Sequence, residues 1–178
     1  MIRCEDIASH PDFRPLAGVR GIAIDLRYAG ENNFAGKVLY RGLDCAWIRR
    51  EAAAGLEAAV DWLGAQRPGH RLLVLDALRP HRVQQQIWDD IRGTPGEAYF
   101  ADPARGWIHS FGMAVDVTLQ DEHGAEVDMG SAYVEMSEAS HPALHAALLA
   151  AGRLTAAQVA ERETLRLALE AGGFLEVS

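Results

Sequence analysis

His109-Ser-Phe-Gly112-Met-Ala-Val-Asp116-Val-Thr-Leu119 runs a turn into an apolar strand that carries a carboxylate in its middle. From Met113 to Leu119 the residues are mostly β-branched or apolar, the composition of a buried strand, and Asp is a poor resident of one. An ionised carboxylate in such a place needs pairing, full hydrogen bonding or a metal. His109 stands seven residues upstream, an odd offset that puts it on the opposite face of a straight strand. Gly112 removes that obstacle, because a glycine permits a turn or bulge that brings imidazole and carboxylate to one centre. His with Asp suits zinc. The alternative from spacing alone is an Asp116 that caps nearby backbone or pairs with an arginine, with His109 a polar loop residue.

Working outward, the chain has 178 residues, the usual size of a single domain, with 49% hydrophobic and 24% charged residues. Its net charge of −8 argues against nucleic acid or an anionic membrane as partner, since both select basic patches. No stretch reaches the roughly 18 apolar residues of a membrane span, and the N-terminus lacks the apolar run of a secretory signal. A cytoplasmic location is the expectation. The two cysteines, Cys4 and Cys45, are too few for a disulfide framework and read as buried or free thiols rather than a redox pair.

Upstream of the central stretch, Val19–Tyr28 reads as a first strand, followed by the polar loop Ala29–Gly36 and a short apolar piece, Val38–Tyr40. Tyr28, Asn33 and Phe34 are candidates to line a pocket mouth; otherwise they form a turn. From Asp44, a candidate N-cap, to about Gln66, apolar residues recur at helical spacing. Pro68-Gly69 ends that helix, and His70–Leu78 reads as a buried strand that contains Asp76. Arg79 follows, then Pro80 in the first turn of a helix that runs to about Ile91. An arginine at a strand's end sits where side chains converge, and its permanent charge suits an oxyanion; the competing reading is an Asp76–Arg79 pair that only fixes the turn.

Residues 92–108 form a long irregular loop of the kind that is often functional. Downstream, Asp121–Gly124 reads as a hairpin turn and Ala125–Met129 as a return strand. His141 to Leu149 reads as a helix with His141 and His145 one turn apart, a spacing open to metal binding but more typical of surface or packing. Thr155-Ala-Ala-Gln158 fits a capping box that opens a last helix ending at Gly172-Gly173, and Phe174–Val177 begins another strand.

The motif His109-x-x-Gly112-x-Ala114-x-Asp116 resembles the metal-binding signature of the D-alanyl-D-alanine dipeptidases, zinc peptidases of the vancomycin-resistance type related to D,D-carboxypeptidases. Further pieces agree in order: Arg27-Tyr28 with Asn33-Phe34-x-Gly36, Asp76-x-x-Arg79-Pro80, Asp128-Met129-Gly130-Ser131, Glu138-x-Ser140-His141 and Ala171-Gly-Gly-Phe174. The resemblance implies a single α+β domain, with a small, mostly antiparallel central sheet and helices packed around it. It implies one zinc ion per chain, with His109, Asp116 and a second histidine as ligands, and a glutamate that activates water. It implies that Arg79 stabilises the tetrahedral intermediate of dipeptide hydrolysis and that Tyr28 helps hold the substrate ammonium; Asn33 and Phe34 are the further candidates for substrate binding. A small D-amino-acid dipeptide is the implied substrate, with a D,D-carboxypeptidase or an inactive peptide-binding module as alternatives.

Three departures mark this sequence. The family's Glu-Trp-Trp-His segment, which carries the glutamate and second histidine, lies past the Gly-Phe strand, and the sequence reaches Ser178 without it. Val134 stands where an aspartate is usual, and Trp107 stands where a small serine is usual.

Overall fold

β4, Arg71–Asp76, is the strand on which the sheet is built, and its residues from Leu72 onward are all buried. In the computed structural model of the protein, residues 3–94, 97, 107–133 and 144–176 are described. β1 (Phe13–Pro15) pairs antiparallel with β3 (Trp47–Arg49) in a two-stranded sheet. β2 (Ile22–Ile24) pairs parallel with β4, and β4 pairs antiparallel with β5 (Asp116–Gln120), giving the order β2-β4-β5. Leu72, Leu73, Val74 and Leu75 are all buried, so both faces of this central strand are covered by packing, and its sequence runs apolar without alternation.

α1 (Arg50–Gln66) lays Ala52, Ala53, Leu56, Ala59 and Leu63 into the main core against Leu72, Val74 and Leu119 of the sheet. α2 (His81–Ile91) turns Val83, Ile87 and Ile91 into a second cluster that holds Tyr28, Leu39, Tyr40 and Cys45. α3 (His145–Ala150) is short, and α4 (Ala156–Ala171) closes the fold across α1. The capping box expected at Thr155 is present, with Gln158 N–H donating to the Thr155 hydroxyl at 3.2 Å and Thr155 N–H donating to Gln158 Oε1 at 2.9 Å. The result is the expected α+β domain. Among the described residues no helix is long and apolar enough to cross a membrane.

Several boundaries differ from the sequence reading. The first strand is only Ile22–Ile24, and Arg27–Ala29 forms a 3-10 turn instead. Trp47 and Ile48 belong to β3, so α1 starts at Arg50 and Asp44 is not its cap; the Asp44 carboxylate accepts from the Ala46 N–H and the Trp47 indole. The return strand after the Asp121–Gly124 turn shrinks to a single bridge, Gln120 to Glu126. Phe174–Glu176 is not a strand, because the Phe174 ring packs beside Gly55 of α1 rather than joining a sheet. Most of the loop 92–108, and His141, lie outside the described residues.

The α1–α4 crossing depends on glycine. A Cβ on Gly55 would lie 2.5 Å from the carbonyl oxygen of Gly172 and 3.0 Å from the Phe174 ring. Both obstacles are fixed in the packed layer. Gly55→Ala should therefore lower stability by about 1–3 kcal/mol through overpacking, although alanine is the better helix former by up to about 1 kcal/mol. Urea unfolding checks this, and a raised midpoint would show that the helices can separate at no cost.

Candidate active site

The antiparallel ladder between β4 and β5 breaks its register between Val74 and Asp76, and this bulge sets Asp76 opposite Asp116. Bulges re-aim side chains, and here the effect is to face two carboxylates across a strand pair. Like charges in that position repel. The repulsion is met by Arg79, three residues past Asp76, which is 2% exposed. Its Nε donates to Asp76 Oδ2 at 2.8 Å, while Nη2 reaches Asp76 Oδ2 at 2.7 Å and Asp116 Oδ2 at 3.1 Å. Nη1 donates to Gln84 Oε1 at 2.9 Å, and the guanidinium lies 4.8 Å above the centre of the Tyr28 ring.

His109 arrives from the other side, on a 3-10 turn Ile108–Phe111 that Gly112 terminates at φ 67°. A Cβ on Gly112 would sit 2.6 Å from the Phe13 ring, so both the backbone conformation and the space demand glycine. The Arg79 N–H donates to the His109 carbonyl at 3.2 Å, which ties this turn to the end of β4. His109 Nδ1 lies 2.9 Å from the Ala77 carbonyl oxygen. A carbonyl only accepts, so Nδ1 carries a proton and Nε2 is the atom presented to Asp116 Oδ1, 3.3 Å away. The indole of Trp107 stacks on the imidazole with ring centres 6.3 Å apart.

The aromatic side chains complete the walls. Tyr133 donates its hydroxyl to Asp116 Oδ2 at 3.0 Å, and Tyr40 donates to Asp76 Oδ1. Tyr28 meets Phe34, Tyr40 and Tyr133 at ring distances of 6.2, 5.7 and 6.2 Å. Burial pushes the Tyr28 phenol up to about 12 and those of Tyr40 and Tyr133 well above their ordinary value, so all three remain neutral donors. Asp116 is the partly exposed member, its side chain 32% accessible against 0% for Asp76.

Charge follows from this geometry. Burial resists ionisation of Asp116, but the charge and hydrogen bond of His109, with Arg79 and Tyr133, outweigh it and hold the carboxyl low. Burial opposes a charged His109 as well, yet Asp116 lifts it above its usual value. Arg79 is held ionised against burial chiefly by Asp76.

Asp76, His109 and Asp116 each offer a donor atom, all within 4.8 Å of one another. They differ in what those atoms already do. Asp76 faces the Nδ1 side of His109 at 3.5 Å and is engaged by Arg79 and Tyr40, whereas Asp116 Oδ1 faces Nε2. The two side chains on the Nε2 side fit zinc: nitrogen and oxygen ligands of a tetrahedral ion stand roughly 3.3–3.4 Å apart at ordinary bond lengths. Donation of the second ring nitrogen to a backbone carbonyl is the usual arrangement behind a metal-bound histidine.

A family model described as D-ala-D-ala dipeptidase, of the peptidase M15 type, matches residues 11–178. The chain belongs to this family. The D-alanyl-D-alanine dipeptidase of Escherichia coli (strain K12) is 34% identical over 157 residues, which cover 88% of this chain and 75% of the relative. Membership makes the protein an enzyme, a metallopeptidase.

Of the sequence-derived candidates, His109, Asp116, Arg79 and Tyr28 converge on one centre. Phe34 stands behind Tyr28. Asn33 is 4% exposed and uses its amide on the Arg27, Gly30 and Lys37 carbonyls, so it closes the loop that carries Phe34. His145 lies against Arg162 of α4, Nε2 to Nη1 2.9 Å. Gln84, Tyr40 and Tyr133 were not anticipated. Only the position of Gln84 on the otherwise apolar Val83–Ile87–Ile91 face of α2 hinted at it.

Asp76→Asn removes the charge that balances a fully buried guanidinium. It should cost about 3–5 kcal/mol, as for a broken buried ion pair. Denaturant unfolding of the two proteins measures it, and a loss below about 1 kcal/mol, the value of an exposed pair, would show that Arg79 is held by other means.

Proposed function

We propose that the protein is a zinc-dependent dipeptidase that hydrolyses the peptide bond of D-Ala-D-Ala or a similar small dipeptide. The observation that carries this reading is the pairing of His109 Nε2 with Asp116 Oδ1 at 3.3 Å, with the other imidazole nitrogen committed to Ala77. In this arrangement the Nε2 proton occupies the place a cation would take between a lone pair and a carboxylate. His109 and Asp116 are the residues that would hold zinc, and the name of the Escherichia coli relative supports the substrate. Zinc, when bound, lowers the pKa of water towards neutrality and polarises a carbonyl.

The chain's own residues supply the rest. Arg79 places a permanent cation beside Asp116, where the scissile carbonyl oxygen would gain negative charge, and donors fixed before reaction stabilise that charge without reorganisation. Asp76, Gln84 and the Tyr28 ring hold the guanidinium in place, since each meets a different part of it. Tyr28, Phe34 and Tyr133 form an aromatic wall next to Arg79, suited to a small substrate whose ammonium group favours π faces and phenol oxygens. Trp107, stacked on His109, narrows the approach from that side, which suits a dipeptide better than a cross-linked polymer.

Elemental analysis of the purified protein should find about one zinc per chain, with His109→Ala and Asp116→Ala each removing it. Because the proton on Nε2 must leave and Asp116 raises its pKa, zinc affinity should fall as the solution is acidified, by about tenfold per pH unit once His109 is protonated. Affinity independent of pH between 5 and 8 would exclude His109 as a ligand. Arg79→Lys, which keeps a charge between the two carboxylates but loses the planar fork, should lower kcat for D-Ala-D-Ala by about 10²-fold, measured beside zinc content and the unfolding midpoint so that a lost metal or fold is told apart from a lost oxyanion donor. Zinc binding with no hydrolysis of any dipeptide by the wild-type protein would reject the dipeptidase reading in favour of a peptide-binding module.

A further inference from the structure

Cys4 and Cys45 lie far apart in sequence and side by side in the fold. Cys4 begins the 3-10 turn Cys4–Ser9, half-buried, and its Sγ lies 3.5 Å from the carbonyl oxygen of Asp44, the neighbour of Cys45. Cys45 is 2% exposed and sits in the cluster of Tyr28, Tyr40, Val83 and Ile87, against which Cys4 also packs. The neighbouring Cys45 thiol holds Cys4 below its ordinary value against burial and Glu5, and Cys4 together with burial pushes the Cys45 thiol up. The pair is therefore asymmetric, with an accessible sulfur that ionises first and a buried one kept protonated behind it.

We propose that Cys4 and Cys45 form a redox-active dithiol, closed to an intramolecular disulfide by a low-molecular-weight disulfide of the glutathione type. The Cys4 thiolate attacks one sulfur of the small disulfide, forms a mixed disulfide and releases one small thiolate. Cys45, losing its proton to solvent, then attacks the Cys4 sulfur and releases the second small thiolate. Two protein thiols are oxidised and one small disulfide is reduced to two thiols, so atoms and electrons balance. Attack begins at Cys4 because nucleophilicity and access coincide there. Arg82, paired with Glu5 beside Cys4, also lines a surface groove with Lys37, itself paired with Asp90, and Arg41.

Closure joins the N-terminal turn to the wall behind the site. Ile7 of that turn packs with Phe13 and Leu78, and Tyr40 of the Cys45 cluster reaches Asp76. The disulfide thus fastens both flanks of the Asp76–Arg79 corner, and its product is a more stable form of the same fold.

The test is to incubate the full chain with oxidised glutathione and follow free thiols, intact mass and thermal unfolding. Thiols should fall from two to none, with a mass lower by two hydrogens, no glutathione adduct, no covalent dimer and a midpoint raised by roughly 5–10 °C, all reversed by a reducing agent. Cys45→Ala should trap glutathione on Cys4, and Cys4→Ser should leave Cys45 at least tenfold slower to react. A lasting adduct on wild-type Cys4, a covalent dimer, or two thiols that survive in the folded chain would each overturn the proposal. The wild-type result stands even if a variant fails to fold.

Discussion

Arg79 stands between two carboxylates that a strand bulge forces to face each other, and the architecture around it follows from that constraint. Two buried acids with no cation between them would repel or take up a proton, since a lone charge in an apolar interior costs several kcal/mol. With the guanidinium bridging them, β4 and β5 can close their ladder. The cation in turn is held from several sides, by Asp76, Gln84, Asp116 and the Tyr28 face. Two clusters of apolar residues, one around Tyr28 and Tyr40 and one around Leu78, pack on either flank and exclude the water that would otherwise screen the pair.

His109 is held by backbone as well as by the side chains around it. The Ala77 carbonyl selects its tautomer, and the link from Arg79 N–H to the His109 carbonyl sets the height of the turn. The imidazole therefore keeps its direction independently of whatever binds in front of it. Such preorganisation removes the entropy of ordering a ligand side chain at the moment of binding.

Much of this was legible in the sequence because the features are local. The clash between an apolar strand and Asp116 pointed to a site, and Gly112 pointed to the bend that brings His109 to it. Asp76-x-x-Arg79-Pro80 placed a cation at a strand end. What could not be read was non-local. Asp116 opens β5 rather than lying in its middle, because the bulge opposite Asp76 ends the ladder there. Trp47 and Ile48 follow helical spacing yet form β3, since pairing with Phe13–Pro15 overrides the local preference. Asn33 is open in sequence to a pocket-mouth or a turn reading, and the three carbonyls that take its amide favour the turn. Gln84 lies on the apolar face of α2, which hints that it is buried, but only the guanidinium beside it explains why a polar residue stands there. Cys4 and Cys45, read as separate thiols, meet because the N-terminal turn folds back across the chain.

The two oxygens of Asp116 have different duties: Oδ1 faces the imidazole, while Oδ2 is already shared between Arg79 and Tyr133. A carboxylate so divided can offer one oxygen without rearrangement. Large hard cations such as calcium favour many oxygens and often both from one carboxylate, at long distances and in flexible shells. Small ions that accept one nitrogen and one oxygen at short range need no such latitude. For the zinc ion proposed above, the clamp on Oδ2 would act as a sieve for metal identity, set by hydrogen bonds from Arg79 and Tyr133 that need never touch the metal.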